Sequence, residues 1–178
     1  MTGPALPRIT PAVAAQPVAA SMFTAQVGGL VAFQLGGPLA VLRQVTDQAV
    51  PNGAWTAVLW DTVDEDTHTA WSSANPSRYT AQAPGWYEVD ARADHAAGTT
   101  AFRAIALQIN GNNNTADRLG KVQVPPVSGV DTSLTTSTCL YLAAGDYLET
   151  IVYQFSGAAS SLASQDGDTI MTVRWCHQ

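Results

Sequence analysis

The sequence predicts an all-β protein: an antiparallel jelly-roll sandwich preceded by a short N-terminal arm. Three observations carry this. From Leu39 onward, apolar and polar residues alternate in runs of strand length, the period-two signature of a half-buried strand. Turn dipeptides separate the runs: Pro84-Gly85, Asn110-Gly111, Ser128-Gly129, Gly145-Asp146, Ser156-Gly157 and Asp166-Gly167. The composition fits a packed domain, with 46% of the 178 residues hydrophobic and only 12% charged, about half the usual share of ~25%. One lysine and seven scattered arginines against a net charge of −6 argue against a nucleic-acid partner. No apolar run approaches the ~18 residues that span a bilayer, so no membrane partner is expected.

Residues 1–38 form the arm. Pro4, Pro7, Pro11 and Pro17 interrupt any apolar core of a signal peptide, and Arg8 sits inside the stretch. Residues 1–20 are therefore expected to be extended and untargeted, with synthesis and assembly in a cytoplasm. Val18, Met22, Phe23, Val27 and Leu30 fall near helical spacing and predict a short helix over 18–34, with Pro17 near its first turn. Gly28 and Gly29 each cost about 1 kcal/mol in a helix interior, so such a helix needs a surface to dock on. These five apolar residues are its candidate anchors. Gly36-Gly37-Pro38 then breaks the chain before the jelly-roll domain, residues 39–178.

Residues 40–46 and 54–60 read as two strands joined through Pro51-Asn52-Gly53. In 86–95, Tyr87, Val89, Ala91 and Ala93 share one face while Glu88, Asp90, Arg92 and Asp94 share the other. In 101–109 both faces are apolar or small, which predicts a strand covered on both sides. Residues 132–142 set Leu134, Leu140 and Leu142 in phase with Thr136 and Thr138. Residues 147–155 group Tyr147, Ile151, Tyr153 and Phe155 with Glu149, and 169–176 group Met171, Val173 and Trp175. Many short strands with regular turns predict a sandwich or jelly roll. Phe102, Ile105, Leu107, Tyr153 and Trp175 are the candidate packing residues, in the core or between subunits.

Chemistry-bearing motifs are sparse. Neither a nucleophile elbow, a phosphate loop, an HExxH pair nor a dinucleotide fingerprint occurs, and no enzymatic activity is expected. His68 is placed in a polar loop, His95 at a strand end and His177 beside the C-terminus. Cys139 and Cys176 fall in predicted strands and are expected to be buried free thiols, with a disulfide as the alternative. Asp61, Asp64, Glu65 and Asp66 are expected to form a solvated acidic loop. Asp61, Asp64 and Asp66 with Trp71 could instead hold a structural calcium ion or a glycan, and a carboxylate pair for glycoside cleavage is the remaining reading. The tryptophans could line a sugar groove, although packing explains their positions in alternating runs. No cofactor is expected.

The segment Pro51–Trp71, PNGAWTAVLWDTVDEDTHTAW, resembles one found in small bacteriophage jelly-roll proteins, where IPN-x-x-W leads to Φ-D-T-x-x-x-D-T and a tryptophan. Ala83-Pro84-Gly85-Trp86-Tyr87-Glu88-Val89 is similar to their P-x-x-G-x-Y-x-V turn and strand. Ile105–Gly111 resembles their I-x-x-N-G strand, and Leu142–Glu149 their L-x-x-G-D-x-Φ turn. The chain departs at Glu65, where an aromatic is usual, and at Thr69-Ala70, where Gly-Met is common. This architecture resembles the globular head of complement and tumour-necrosis-factor-like proteins. The likeness covers residues 40–178. It implies a compact homotrimer on the exterior of a virion, as a capsid decoration, head fibre or tail-fibre tip. The implied partners are a second and third copy, major capsid or tail proteins, and a host-surface glycan. The arm would be the attachment, since Val18–Ala25 resembles the V-x-A-x-x-Φ segment preceding such domains in actinobacterial phages. A carbohydrate- or receptor-binding module is the alternative.

Overall fold

The computed structural model describes residues 20–111, 118–162 and 169–178; within the first helix, side chains are described at Ser21 and from Val27 to Phe33. Helix α1 spans Ala20–Leu35. Among the described residues twelve strands follow: β1 Leu39–Gln44, β2 Gln48–Val50, β3 Thr56–Ala57, β4 Thr62–Asp66, β5 Arg78–Thr80, β6 Gly85–His95, β7 Arg103–Ile109, β8 Leu119–Val124, β9 Thr132–Leu142, β10 Tyr147–Gln154, β11 Ser160–Leu162 and β12 Thr169–His177. They form two antiparallel sheets. One runs β2–β11–β6–β12–β1–β4, with β9 also paired to β6. The other runs β3–β10–β7–β8, with β5 also paired to β10. This is an antiparallel jelly roll.

The two longest strands set the frame. All of β6 pairs with all of β9, from Gly85↔Leu142 to His95↔Thr132. Their alternation is strict: Tyr87, Val89, Ala91 and Ala93 point inward, as do Leu134, Leu140 and Leu142. Ala40, Leu42, Met171, Val173 and Trp175 extend this layer. Ile105, Leu107, Leu148 and Val152 meet it from the second sheet. Tyr87 donates its hydroxyl to Ala83 O at 2.6 Å and sits edge-on to Tyr79, so a buried phenol is satisfied while its ring packs.

Gly85 is required by a close approach. Its φ is +149°, and a Cβ there would lie 2.4 Å from Trp175 Nε1 and 2.6 Å from His177 O. The opposite situation occurs at Ala101, whose φ is +59°. A left-handed backbone costs a residue bearing a Cβ about 1 kcal/mol, and the Ala101 side chain is exposed. Ala101→Gly is expected to stabilise the fold by about 0.5 kcal/mol, read as a higher urea midpoint with an unchanged slope. A lower midpoint would show that the strain is illusory.

Several expectations change. The helix is described from Ala20; Val18 lies outside the described residues, as do the side chains of Met22 and Phe23. Val27 is exposed and Leu30 half-buried. The docked residue is Phe33, 2% exposed and edge-on to Trp175 at 4.8 Å, with His68 on its other flank at 6.1 Å. Gly37, just beyond the helix, also lies against this tryptophan: a Cβ there would sit 3.5 Å from Trp175 Cε3. His68 lies in the turn after β4, as expected of a loop residue, but is buried there. The acidic run is not a loop but strand β4, an edge strand held by β1.

Candidate functional site

The acidic residues do not converge. Asp61 accepts the Val45 and Thr46 N–H groups and the Thr62 hydroxyl. Burial raises its pKa, but those donors outweigh burial and hold the carboxyl below its ordinary value. Asp64 makes a bidentate pair with Arg43, with both contacts at 2.6 Å; this hydrogen bond lowers its pKa. Asp66 accepts the Ala70 and Trp71 N–H groups, closing the turn after β4. Trp71 turns its indole N–H to Pro76 O. Each group is committed to a separate local task. Among the described residues, no three His, Cys, Asp or Glu side chains gather as metal ligands.

The candidate packing residues divide between two places. Ile105, Leu107 and Trp175 lie in the core of the single chain. Strand β7 is covered on both sides, as its sequence predicts, but within the protomer: Arg103 to Gln108 are all buried. Ala104 and Ala106 are shaded by their cross-strand neighbours Tyr153 and Ile151. Phe102 and Tyr153 stack at 5.4 Å outside the core. Trp55 at 5.3 Å from Tyr153 and Phe155 at 6.5 Å from Phe102 complete an aromatic row on the second sheet. Arg118 caps the Trp55 ring at 4.4 Å.

The outer face of the first sheet carries a second aromatic group. Cross-strand register aligns Tyr141, Trp86 and His177 side by side. Trp86 is 43% and Tyr141 51% exposed. The rest of the outward side of β9 is uncharged: Ser133, Thr135, Ser137 and Cys139. Cys139 and Cys176 are free, and contrary to expectation both are exposed. Cys139 belongs to the odd-numbered phase of β9, which points outward. Cys176 lies at the irregularity in the β12–β6 register that brings His177 beside Trp86.

A third group lies at the far end of β6 and was missed by the sequence reading. His95 is fully buried and Arg103 is 1% exposed. Among the described residues, neither ring nitrogen of His95, nor Nε of Arg103, has a hydrogen-bond partner of good geometry. Burial first and then the Arg103 charge lower the His95 pKa to about 4, against smaller opposing effects of the Ala104 backbone and Asp94. Arg103 lies against Gly98, where a Cβ would come within 2.4 Å of Nη2. The sequence signal, a histidine ending a strand and an arginine starting one, does not reveal that the fold buries both.

No protein-family model matches the sequence, and no curated protein is significantly similar to it. Solved structures are similar in fold. Murine APRIL at pH 8.0 superposes with a TM-score of 0.61 at 12% identity, covering 78% of this chain and 98% of that one. The globular domain of zebrafish complement 1qA gives 0.58 at 11%, covering 79% and 98%. Eiger TNF from S. frugiperda gives 0.55 at 15%, covering 79% and 94%. The chain therefore has the jelly-roll fold of the tumour-necrosis-factor and complement globular-head proteins.

Proposed function

We propose that the protein is a non-catalytic, homotrimeric component of a virion exterior. In this reading the jelly roll assembles through the outer face of its first sheet, and the N-terminal arm attaches it to capsid or tail. The observation that carries the reading is the exposed Tyr141–Trp86–His177 row, whose β9 flank is uncharged while the neighbouring outward face of β6 carries Glu88, Asp90 and Arg92. Exposed aromatics beside uncharged small residues are the composition of an interface centre, and jelly rolls of this class commonly form trimers. The virion setting rests on the motif resemblance of residues 51–149.

Light scattering on the purified chain is expected to give three protomer masses. Trp86→Ala combined with Tyr141→Ala is expected to raise the concentration at which the trimer dissociates by roughly 30-fold, the weight of one hot spot. A monomeric wild type sinks the trimer, and a trimer indifferent to both substitutions sinks this face. Because Phe33 packs on the domain, the attachment test removes residues 1–26 and leaves Phe33 in place. The shortened chain should remain trimeric and fail to bind particles. Particle binding without residues 1–26 would show that the arm is not the attachment.

A further inference from the structure

His95 is the last residue of β6 and Arg103 the first of β7. Residues 96–102 therefore carry the chain from the first sheet to the second between two buried basic side chains. The groups around His95 do not compensate a proton placed on it. On its own strand, Asp94 is engaged by Arg92 at 3.3 Å. From β7 comes the Arg103 guanidinium, a like charge. Opposite His95, β9 brings Thr132 and β11 brings Leu162, while β12 turns Thr169 to the Asp94 N–H; none of the three is ionisable. Asp131, just ahead of β9, accepts the Ala97 N–H at 2.9 Å. An imidazolium here would be a second buried cation beside Arg103, and a buried charge without a close partner is expensive.

The segment over this pair is held lightly. None of residues 96–102 is buried. Besides the bond to Asp131, its backbone ties are single contacts: Ala96 N–H to Ser161 O at 2.9 Å, Gly98 N–H to Val127 O at 3.3 Å, and Phe155 N–H to Phe102 O at 3.3 Å. Ala101 keeps a left-handed backbone, φ +59°, which disfavours the closed form. Gly98 lies so close to the guanidinium that a Cβ would overlap Arg103 Nη2, and lifting Gly98 uncovers that group. Beneath, β6 and β9 are joined by a continuous ladder from Gly85↔Leu142 to His95↔Thr132.

We propose that residues 96–102 form an acid-operated flap: protonation of His95 beside Arg103 lifts the segment and brings both side chains to water, while the two sheets stay closed. In the closed form the imidazole is neutral, its pKa lowered to about 4 by burial and then by Arg103. In the lifted form it titrates near its ordinary 6.5. Opening therefore takes up a proton and becomes more favourable as the pH falls from about 6.5 to about 4. The motion is local because it breaks four scattered bonds and leaves the ladders intact. It is independent of the assembly and virion readings.

Hydrogen exchange on the full chain tests this, with each rate divided into that of an unstructured peptide at the same pH. Between about pH 7 and about pH 5, protection of the Ala96, Ala97 and Gly98 amides is expected to fall about 20-fold. The fall should be insensitive to low urea, as for an opening that exposes little surface. Near-ultraviolet dichroism should stay native at both pH values. His95→Gln and His95→Leu, neither of which titrates, should each abolish the fall. Leucine suits a site where neither ring nitrogen is hydrogen-bonded, so this variant serves if the glutamine chain fails to fold. The proposal is overturned if protection of the three amides does not change with pH. It is also overturned if their exchange follows urea in parallel with the β6–β9 ladder, which would mean that the whole sandwich opens. A response that persists without His95 overturns it as well and passes the role to Asp131.

Discussion

Acidification from neutral pH to about 4 is expected to remove on the order of 3 kcal/mol of stability through His95 alone. The folded chain holds this imidazole neutral, with its pKa lowered to about 4 by burial and then by Arg103. In the unfolded chain it titrates near its ordinary value of 6.5. The unfolded state thus takes up a proton first. Stability from this group is complete above about pH 6.5, falls as the pH drops toward 4, and changes little below that. Urea midpoints measured across this window should trace that slope, and His95→Gln, which cannot titrate, should flatten it. Asp61 and Asp64, whose pKa values are lowered from 3.8, lose their contribution only at still lower pH, so the two effects separate. An unchanged slope in His95→Gln would assign the acid sensitivity to another group.

Trp175→Ala is expected to cost about 3–5 kcal/mol, the usual loss for truncating a large buried aromatic. The indole fills the end of the core, donates its N–H to Pro84 O at 3.2 Å, and receives the Phe33 edge. Its removal should also release α1, because Phe33 is the buried contact that holds the helix to the sheet. Hydrogen exchange should show faster exchange across 27–35 in the variant than in Trp175→Phe, which keeps an aromatic ring. Equal protection of α1 in both variants would show that the helix is held elsewhere. Gly85 and Trp175 are coupled: the indole is the nearest atom group to the missing Cβ, so Gly85→Ala should be less costly in the Trp175→Ala background.

Much of the fold was legible because strand pairing follows local rules. The β6 and β9 bounds and faces can be read from alternation, and Gly111, Gly129 and Gly145 take positive φ in turns where the sequence places breakers. The candidate site was less legible. Asp61, Asp64 and Asp66 look like one cluster along the chain, yet the fold gives them three unrelated partners. Strands β4, β5 and β11 are five residues or fewer and give no periodic signal of their own; they are strands because a longer neighbour pairs with them.

The sequence by itself determined the all-β class, the inward faces of the long strands and the break that ends the helix. Each depends on periodicity or on a glycine or proline acting over a few bonds. Only the tertiary structure decided that Phe33 docks the helix, that both cysteines face outward, that His95 and Arg103 are both buried, and that Gln44 and Trp60 line one cleft. Period two states which residues lie on a common face, but burial, pKa and hydrogen-bond satisfaction depend on what another strand brings against that face.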